Sequence, residues 1–254
     1  MTEEPPPPPY LRPFVLPHER VVSETVDDVD YYLPTSTEPA GAVVLVHGGP
    51  IPADRSVGPR DWPAYVGYGS LLASSGVVAV MAEHGFRDMS SVDRAIEDVR
   101  RYVDDVRRHP RVDPDRIAVW AFSAGGLLLG DVLSRQPSWL RAVAATYALL
   151  DLAEDAALSS TTPVAVARRR AIAVPMLLVR VERERDWISA TQDAFLQATR
   201  SGEPVAVDVL EVAHAEHGFE TIDDTEESRR AIGASVDWIA RHLHDASPGG
   251  APAP

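Results

Sequence analysis

Apolar residues along this chain fall into two alternating patterns. One is a set of short unbroken runs: Ala42 to Val46, Val77 to Met81, Ile117 to Phe122, Leu140 to Tyr147, Pro175 to Val181 and Val205 to Val212. Runs of this length, rich in β-branched residues, read as strands buried on both faces of a parallel sheet. The other pattern has helical spacing. Tyr65 to Ser74 predicts one helix. Val92, Ile96, Val99, Val103 and Val106 form a single apolar stripe, capped by Ser90 or Ser91 and closed by His109-Pro110. Further helices are expected over Ala124 to Leu133, within a short excursion from Leu152 to Ala171, and from the capping box Ser189-x-x-Gln192 to about Thr199. The last runs from about Glu226 to His244, with Ile232, Val236, Ile239 and Leu243 on one face. Arg20 to Leu33 alternates over short stretches and predicts one or two edge strands. Strands alternating with helices over this length predict an α/β fold, a doubly wound and mostly parallel sheet with helices on both faces.

Composition adds bounds to that picture. The 254 residues are 45% hydrophobic, enough for one sizeable core, and place a single domain at residues 18–245. The proline-rich start to Pro17 is expected to be an extended or disordered tail, and residues 246–254 a flexible one. A formal net charge of −14 argues against a nucleic-acid or anionic-membrane surface, either of which needs a basic patch. Every basic residue besides histidine is arginine. With no cysteine, a disulfide framework, a thiol nucleophile and a thiolate metal site are excluded. The first residues lack a signal peptide's basic and apolar regions, and no apolar run approaches a membrane span, so a cytoplasmic protein is expected.

The candidate chemistry centres on Ala121-Phe122-Ser123-Ala124-Gly125-Gly126. A strand ends at a serine with small neighbours, a close variant of the G-x-S-x-G nucleophile elbow, in which the tight turn exposes the hydroxyl. A serine needs a base to take its proton and a third group to orient that base. His217 follows the last expected strand and is the favoured base, with His214 as a nearby competitor. Ala82-Glu83-His84-Gly85-Phe86 repeats the pentapeptide Ala215 to Phe219, so His84 is a second competitor or a pocket residue, although it precedes the serine. For the acid, Glu182, Glu184 and Asp186 follow the penultimate strand and would share a face if the chain stayed extended there. An oxyanion needs converging N–H groups. Ala124 supplies one and His47-Gly48-Gly49 the other, from Gly49, since Pro50 has none.

Taken together, His47-Gly48-Gly49-Pro50, Asp113-Pro114-Asp115-Arg116-Ile117 leading into Phe122 to Gly126, and His217-Gly218-Phe219 resemble the α/β-hydrolase superfamily. Within it the likeness is to dienelactone hydrolases and prolyl-oligopeptidase-like hydrolases. The resemblance implies an α/β-hydrolase fold and a triad of Ser123, His217 and an acid nine residues after Pro175, which is Glu184, with Asp186 as the fallback. It implies a hydrolase without cofactor or metal, acting on a small ester, lactone or related acyl compound. Phe122, Tyr147 and Trp187 are the expected substrate-binding walls. A small peptidase or amidase, and a catalytically silent binding protein of the same fold, are the alternatives; a homodimer is left open.

Overall fold

The computed structural model describes residues 6–52, 54–152, 161–200 and 207–244. Eight strands form one sheet: β1 Glu24–Val26, β2 Val29–Tyr32, β3 Ala40–Val46, β4 Val78–Ala82, β5 Val112–Phe122, β6 Leu140–Thr146, β7 Met176–Arg183 and β8 Val207–Glu216. Their spatial order is β1-β2-β4-β3-β5-β6-β7-β8. β1 and β2 pair antiparallel at one edge, as does β2 with β4, and every later pairing is parallel.

The parallel strands are buried on both faces because their side chains alternate between two cores. Val44, Val46, Val119 and Ala121 face one core, against α2 Val92–Arg108, α3 Leu129–Arg135, α4 Pro163–Arg169 and α5 Asp186–Arg200. Val43, Leu45, Trp120 and Phe122 face the other, against α1 Pro63–Ser74 and α7 Glu226–His244. A one-turn helix, α6 Phe219–Ile222, links β8 to α7. Among the described residues no helix is long and apolar enough to cross a membrane.

Several local expectations are corrected. β5 begins before the apolar run at Ile117, and its first residues, Val112 to Arg116, bulge from the ladder: Ala40 pairs with Val112 and Ala42 already with Ile117. Asp113 holds that bulge, accepting from Asp115 N at 3.0 Å and Arg116 Nε at 2.7 Å. Ser91 occupies the N-cap position of α2, but its hydroxyl does not bond into that helix; with Asp88 it forms a reciprocal box around the preceding 3₁₀ turn Met89–Ser91. The chain after the elbow runs as 3₁₀ turns from Ser123 to Leu128 before α3 begins. Helix α5 starts three residues before the expected box, because Ile188 N and Ser189 N both donate to Arg185 O at 2.9 and 3.0 Å. Ser189 is therefore inside the helix. Of the Leu152 to Ala171 excursion, α4 is described and residues 153–160 lie outside the described residues, as do Val205, residues 1–5 and the tail 246–254.

The largest departure is at the start. The expectation of a solvated tail to Pro17 is wrong for residues 9–16, which lie on the domain. Pro9–Leu11 makes a 3₁₀ turn, and Phe14 sets its ring edge-on to Tyr68 at 5.2 Å. The ring fits because residue 67 is glycine: a Cβ there would come within 2.4 Å of Phe14. Val15 N donates to Glu220 O at 2.9 Å, and Arg229 Nε donates to Val15 O at 3.2 Å. Proline-rich composition made this stretch look solvated, whereas three apolar residues, Phe14, Val15 and Leu16, dock it.

Candidate active site

Four loops meet beyond the carboxyl ends of β3, β5, β7 and β8, where open α/β sheets hold their ligands. The loop after β5 is the sharpest. Ser123 has φ +52°, a left-handed conformation that non-glycine residues rarely adopt, and it presents its hydroxyl at the top of the strand. Close packing enforces the turn. A Cβ at Gly125 would lie 2.4 Å from His47 O, and one at Gly48 would lie 2.9 Å from the Ser123 Cβ. Ser123 O accepts from Leu149 N at 2.9 Å, tying the elbow to the chain after β6. Ala121, where a glycine is common in such elbows, is fully buried without distorting the strand pairing.

His217 follows β8, and Gly218 turns the chain with φ +85° into α6. The imidazole stands between the serine and an acid, with Nε2 2.8 Å from Ser123 Oγ and Nδ1 2.7 Å from Glu184 Oε2. The Glu184 side chain is only 2% exposed, and its other oxygen accepts from Arg185 N at 2.8 Å. The three candidate acids do not share a face, because the extended chain ends at Arg183. Glu182 is exposed and accepts from His214 N at 2.6 Å. Asp186 is in the first turn of α5. The exposed His214 pairs with Glu182, away from the serine. The structure thus brings together Ser123, His217 and Glu184, and leaves the other candidates apart.

The loop after β3 is held by two histidines whose joint role the sequence did not reveal. The His47 and His84 rings stack with centroids 3.6 Å apart. His47 Nε2 accepts from His84 N at 3.3 Å, which leaves Nδ1 protonated to donate to Gly48 O at 2.5 Å. His84 Nε2 donates to His47 O at 3.0 Å. Both rings are neutral in this arrangement, and burial is the cause: it pushes His47 well below its usual pKa and His84 down to about 4. His84 is buried under the loop and does not line the cavity, contrary to one expectation. The repeated pentapeptide has two fates, since His84 meets another histidine while His217 meets Ser123.

The hydroxyl opens into a cavity of about 440 Å³. Gly48, Gly49, Phe122, Tyr147 and His217 line it, so two of the three expected walls are present. Trp187 is not among them. It sits in the first turn of α5, whose buried side carries Ile188, Phe195 and Leu196, and is 58% exposed. Gly48 N donates to Tyr65 Oη at 3.2 Å, so of the two glycines Gly49 is the one whose N–H is not engaged by that tyrosine. Behind Tyr147 lies Glu220, also a cavity residue and fully buried, whose Oε1 accepts a hydrogen bond from the Tyr147 hydroxyl. Burial pushes the Glu220 carboxyl up to about 7. A lone glutamate after His-Gly-Phe carried no periodic signal. Among the described residues, no group of three or more histidine, aspartate or glutamate side chains could hold a metal ion.

Solved structures match this geometry at the level of fold. A thermophilic esterase from the planctomycete Thermogutta terrifontis, with propionate bound, has a TM-score of 0.68 and 20% identity, over 91% of this chain and 97% of that one. The same esterase phosphorylated by paraoxon matches over 89% and 95% of the two chains, with a TM-score of 0.68 and 19% identity. EstE1, a thermostable carboxylesterase cloned from a metagenomic library, has a TM-score of 0.73 and 18% identity, over 90% of this chain and 92% of its own. No family model and no curated relative matches the sequence. This chain has the α/β-hydrolase fold.

Two pH effects follow from the buried groups. A histidine held neutral leaves the unfolded chain binding more protons, so its contribution to stability is lost as pH falls below about 6.5. From pH 7 to pH 5, His84→Gln should therefore lose less stability than wild type, read as the difference between their urea midpoints at the two pH values. Glu220 has the opposite sign. Its folded pKa is raised, so the native state loses stability as pH rises through the range from 4.5 to about 7. Glu220→Gln, which keeps an acceptor for Tyr147, should gain about 2–3 kcal/mol relative to wild type between pH 5 and pH 8. Denaturant melts of both proteins at the two pH values measure that difference.

Proposed function

We propose that the protein is a serine carboxylesterase, acting on small esters or related acyl compounds through an acyl-enzyme. One observation carries the reading: Ser123 Oγ, the His217 ring and the Glu184 carboxylate form an unbroken chain of 2.8 and 2.7 Å contacts at the floor of a cavity. His217 Nε2 faces the hydroxyl as an acceptor. Its Nδ1–H is directed at Glu184, which fixes the tautomer and stabilises the imidazolium that forms.

In the first half-reaction Ser123 Oγ attacks the substrate carbonyl carbon while His217 Nε2 takes its proton. The carbonyl π electrons move onto oxygen, and the N–H groups of Gly49 and Ala124 receive that charge. Collapse re-forms the carbonyl and breaks the bond to the alcohol oxygen, which takes the proton back from His217. Water then repeats the sequence on the acyl-serine. His217 removes its proton, the acid leaves, and Ser123 recovers its hydrogen. Nothing in this cycle calls for a cofactor. The solved structures that share the fold, an esterase with propionate bound and the same esterase phosphorylated by paraoxon, support the ester reading.

Ser123→Ala and His217→Ala should each lower kcat/KM for p-nitrophenyl acetate by about 10⁴-fold or more, as triad members do elsewhere. Glu184→Gln should cost on the order of 10³–10⁴-fold, whereas Asp186→Asn should stay within about threefold of wild type. Equal labelling of wild type and Ser123→Ala by a fluorophosphonate would refute the serine's role. Turnover of aminoacyl-nitroanilides in preference to the acetate ester would replace the esterase with an amidase.

A further inference from the structure

The segment before the first strand reaches the cavity. Pro9 and Tyr10 both line it, although they precede Ser123 by more than a hundred residues. Tyr10 is held in place from two sides. Its ring centroid lies 4.8 Å from that of Trp62, and the Arg55 guanidinium sits over its face at 4.3 Å and over Trp62 at 5.5 Å. Trp62 is fixed in turn, its Nε1 donating to Val57 O at 3.1 Å. The backbone that carries Tyr10 is a closed turn, with Leu11 N and Arg12 N bonded to Pro8 O and Pro9 O. Phe14 and Val15, outside the cavity, pin that turn to the domain through Tyr68, Gly67 and Glu220.

From this rim a ribbon of aromatic rings runs down to the catalytic dyad. Trp62 stacks on Tyr65 at 6.0 Å, Tyr65 meets Phe122 edge-on at 5.3 Å, Phe122 lies 6.3 Å from Tyr147, and Tyr147 lies 4.4 Å from the His217 ring. All of these residues line the same cavity. An acetyl group attached to Ser123 would touch only the bottom of the ribbon. A longer apolar acyl chain would run along it toward Trp62 and Tyr10 and lose more of its hydrated surface, a gain of about 0.8 kcal/mol for each methylene buried. Resting on the esterase reading, we propose that the N-terminal segment completes the acyl site, with Tyr10 as its outer wall, and that the substrates are esters of medium-length apolar acids. Phe14 acts through Tyr10 as a positioning residue.

The test compares p-nitrophenyl hexanoate with p-nitrophenyl acetate in wild type, Tyr10→Ala, Tyr10→Phe and Phe14→Ala. Wild type is expected to favour hexanoate. Tyr10→Ala should lower the hexanoate-to-acetate ratio of kcat/KM about tenfold, mostly through KM, which corresponds to about 1.4 kcal/mol. Tyr10→Phe should restore the ratio, since the ring and not the hydroxyl makes the wall. Phe14→Ala should lower it as Tyr10→Ala does, although Phe14 touches no substrate, with far-UV circular dichroism confirming that both variants are folded. An unchanged ratio in Tyr10→Ala and Phe14→Ala overturns the proposal, as does a preference for acetate in wild type. If wild type hydrolyses neither ester, the esterase reading fails, and titration with hexanoate followed by tryptophan fluorescence decides the wall. A tenfold weaker Kd in Tyr10→Ala then supports it, and equal affinities overturn it.

Discussion

The site depends on how closely two backbones approach each other. The turn at Ser123 and the loop after β3 are so near that a methyl group on Gly125 would press into His47 O, and one on Gly48 into the serine itself. That contact forces the serine into its left-handed conformation and aims its hydroxyl away from the sheet. It also brings the Gly48-Gly49 backbone alongside the hydroxyl, where charge would develop during acyl transfer. Parallel pairing of β3 with β5 sets up the approach, since the two strands end within one residue of each other: Val46, the last of β3, is opposite Ala121, the last but one of β5. The stacked, neutral pair His47–His84 then braces the loop from beneath.

Electrostatically the site uses burial in opposite ways. Low polarity keeps two histidines uncharged, so that each ring can donate with one nitrogen to a backbone carbonyl. The same low polarity favours the protonated form of Glu220, the group that accepts from Tyr147. Among the described residues, Glu184 is the carboxylate bonded to the His217 ring, and it is fixed by the neighbouring Arg185 N–H. A carboxylate that is nearly sealed from solvent and bonded on both oxygens holds its partner ring in one orientation, which a solvated one such as Glu182 could not do.

The sheet was legible because strands buried on both faces leave continuous β-branched runs, and each such run found its strand. The meeting of Ser123 with His217 was legible for a related reason, since small residues around Ser123 and the glycine after His217 mark turns that little else would require. The acid was readable only through resemblance. Glu182, Glu184 and Asp186 are equivalent in spacing, and the place where β7 stops and α5 begins separates them, a boundary that local hydrogen bonding to Arg185 O decides. Trp187 failed as a wall for the same reason, because the earlier helix start turns it outward. Glu220 and the pairing of His84 with His47 were hidden because a buried polar side chain has no periodic signature; its partner, distant in sequence, makes it tolerable. The N-terminal residues were misread because proline content says how a stretch bends and nothing of what its few apolar residues touch.

The docked segment separates two tasks along the chain. The groups placed to break a bond come from the ends of β5, β7 and β8, where any change of length would shift the sheet. Part of the rim of the cavity comes from a strap outside the sheet, attached by the Tyr10 and Phe14 rings and by two hydrogen bonds at the Val15 backbone. Such a strap can be lengthened, shortened or exchanged without moving Ser123, Glu184 or His217. On the proposed reading, a change of substrate would need no change in the triad, since the stretch that would select it and the stretches that would transform it are separate.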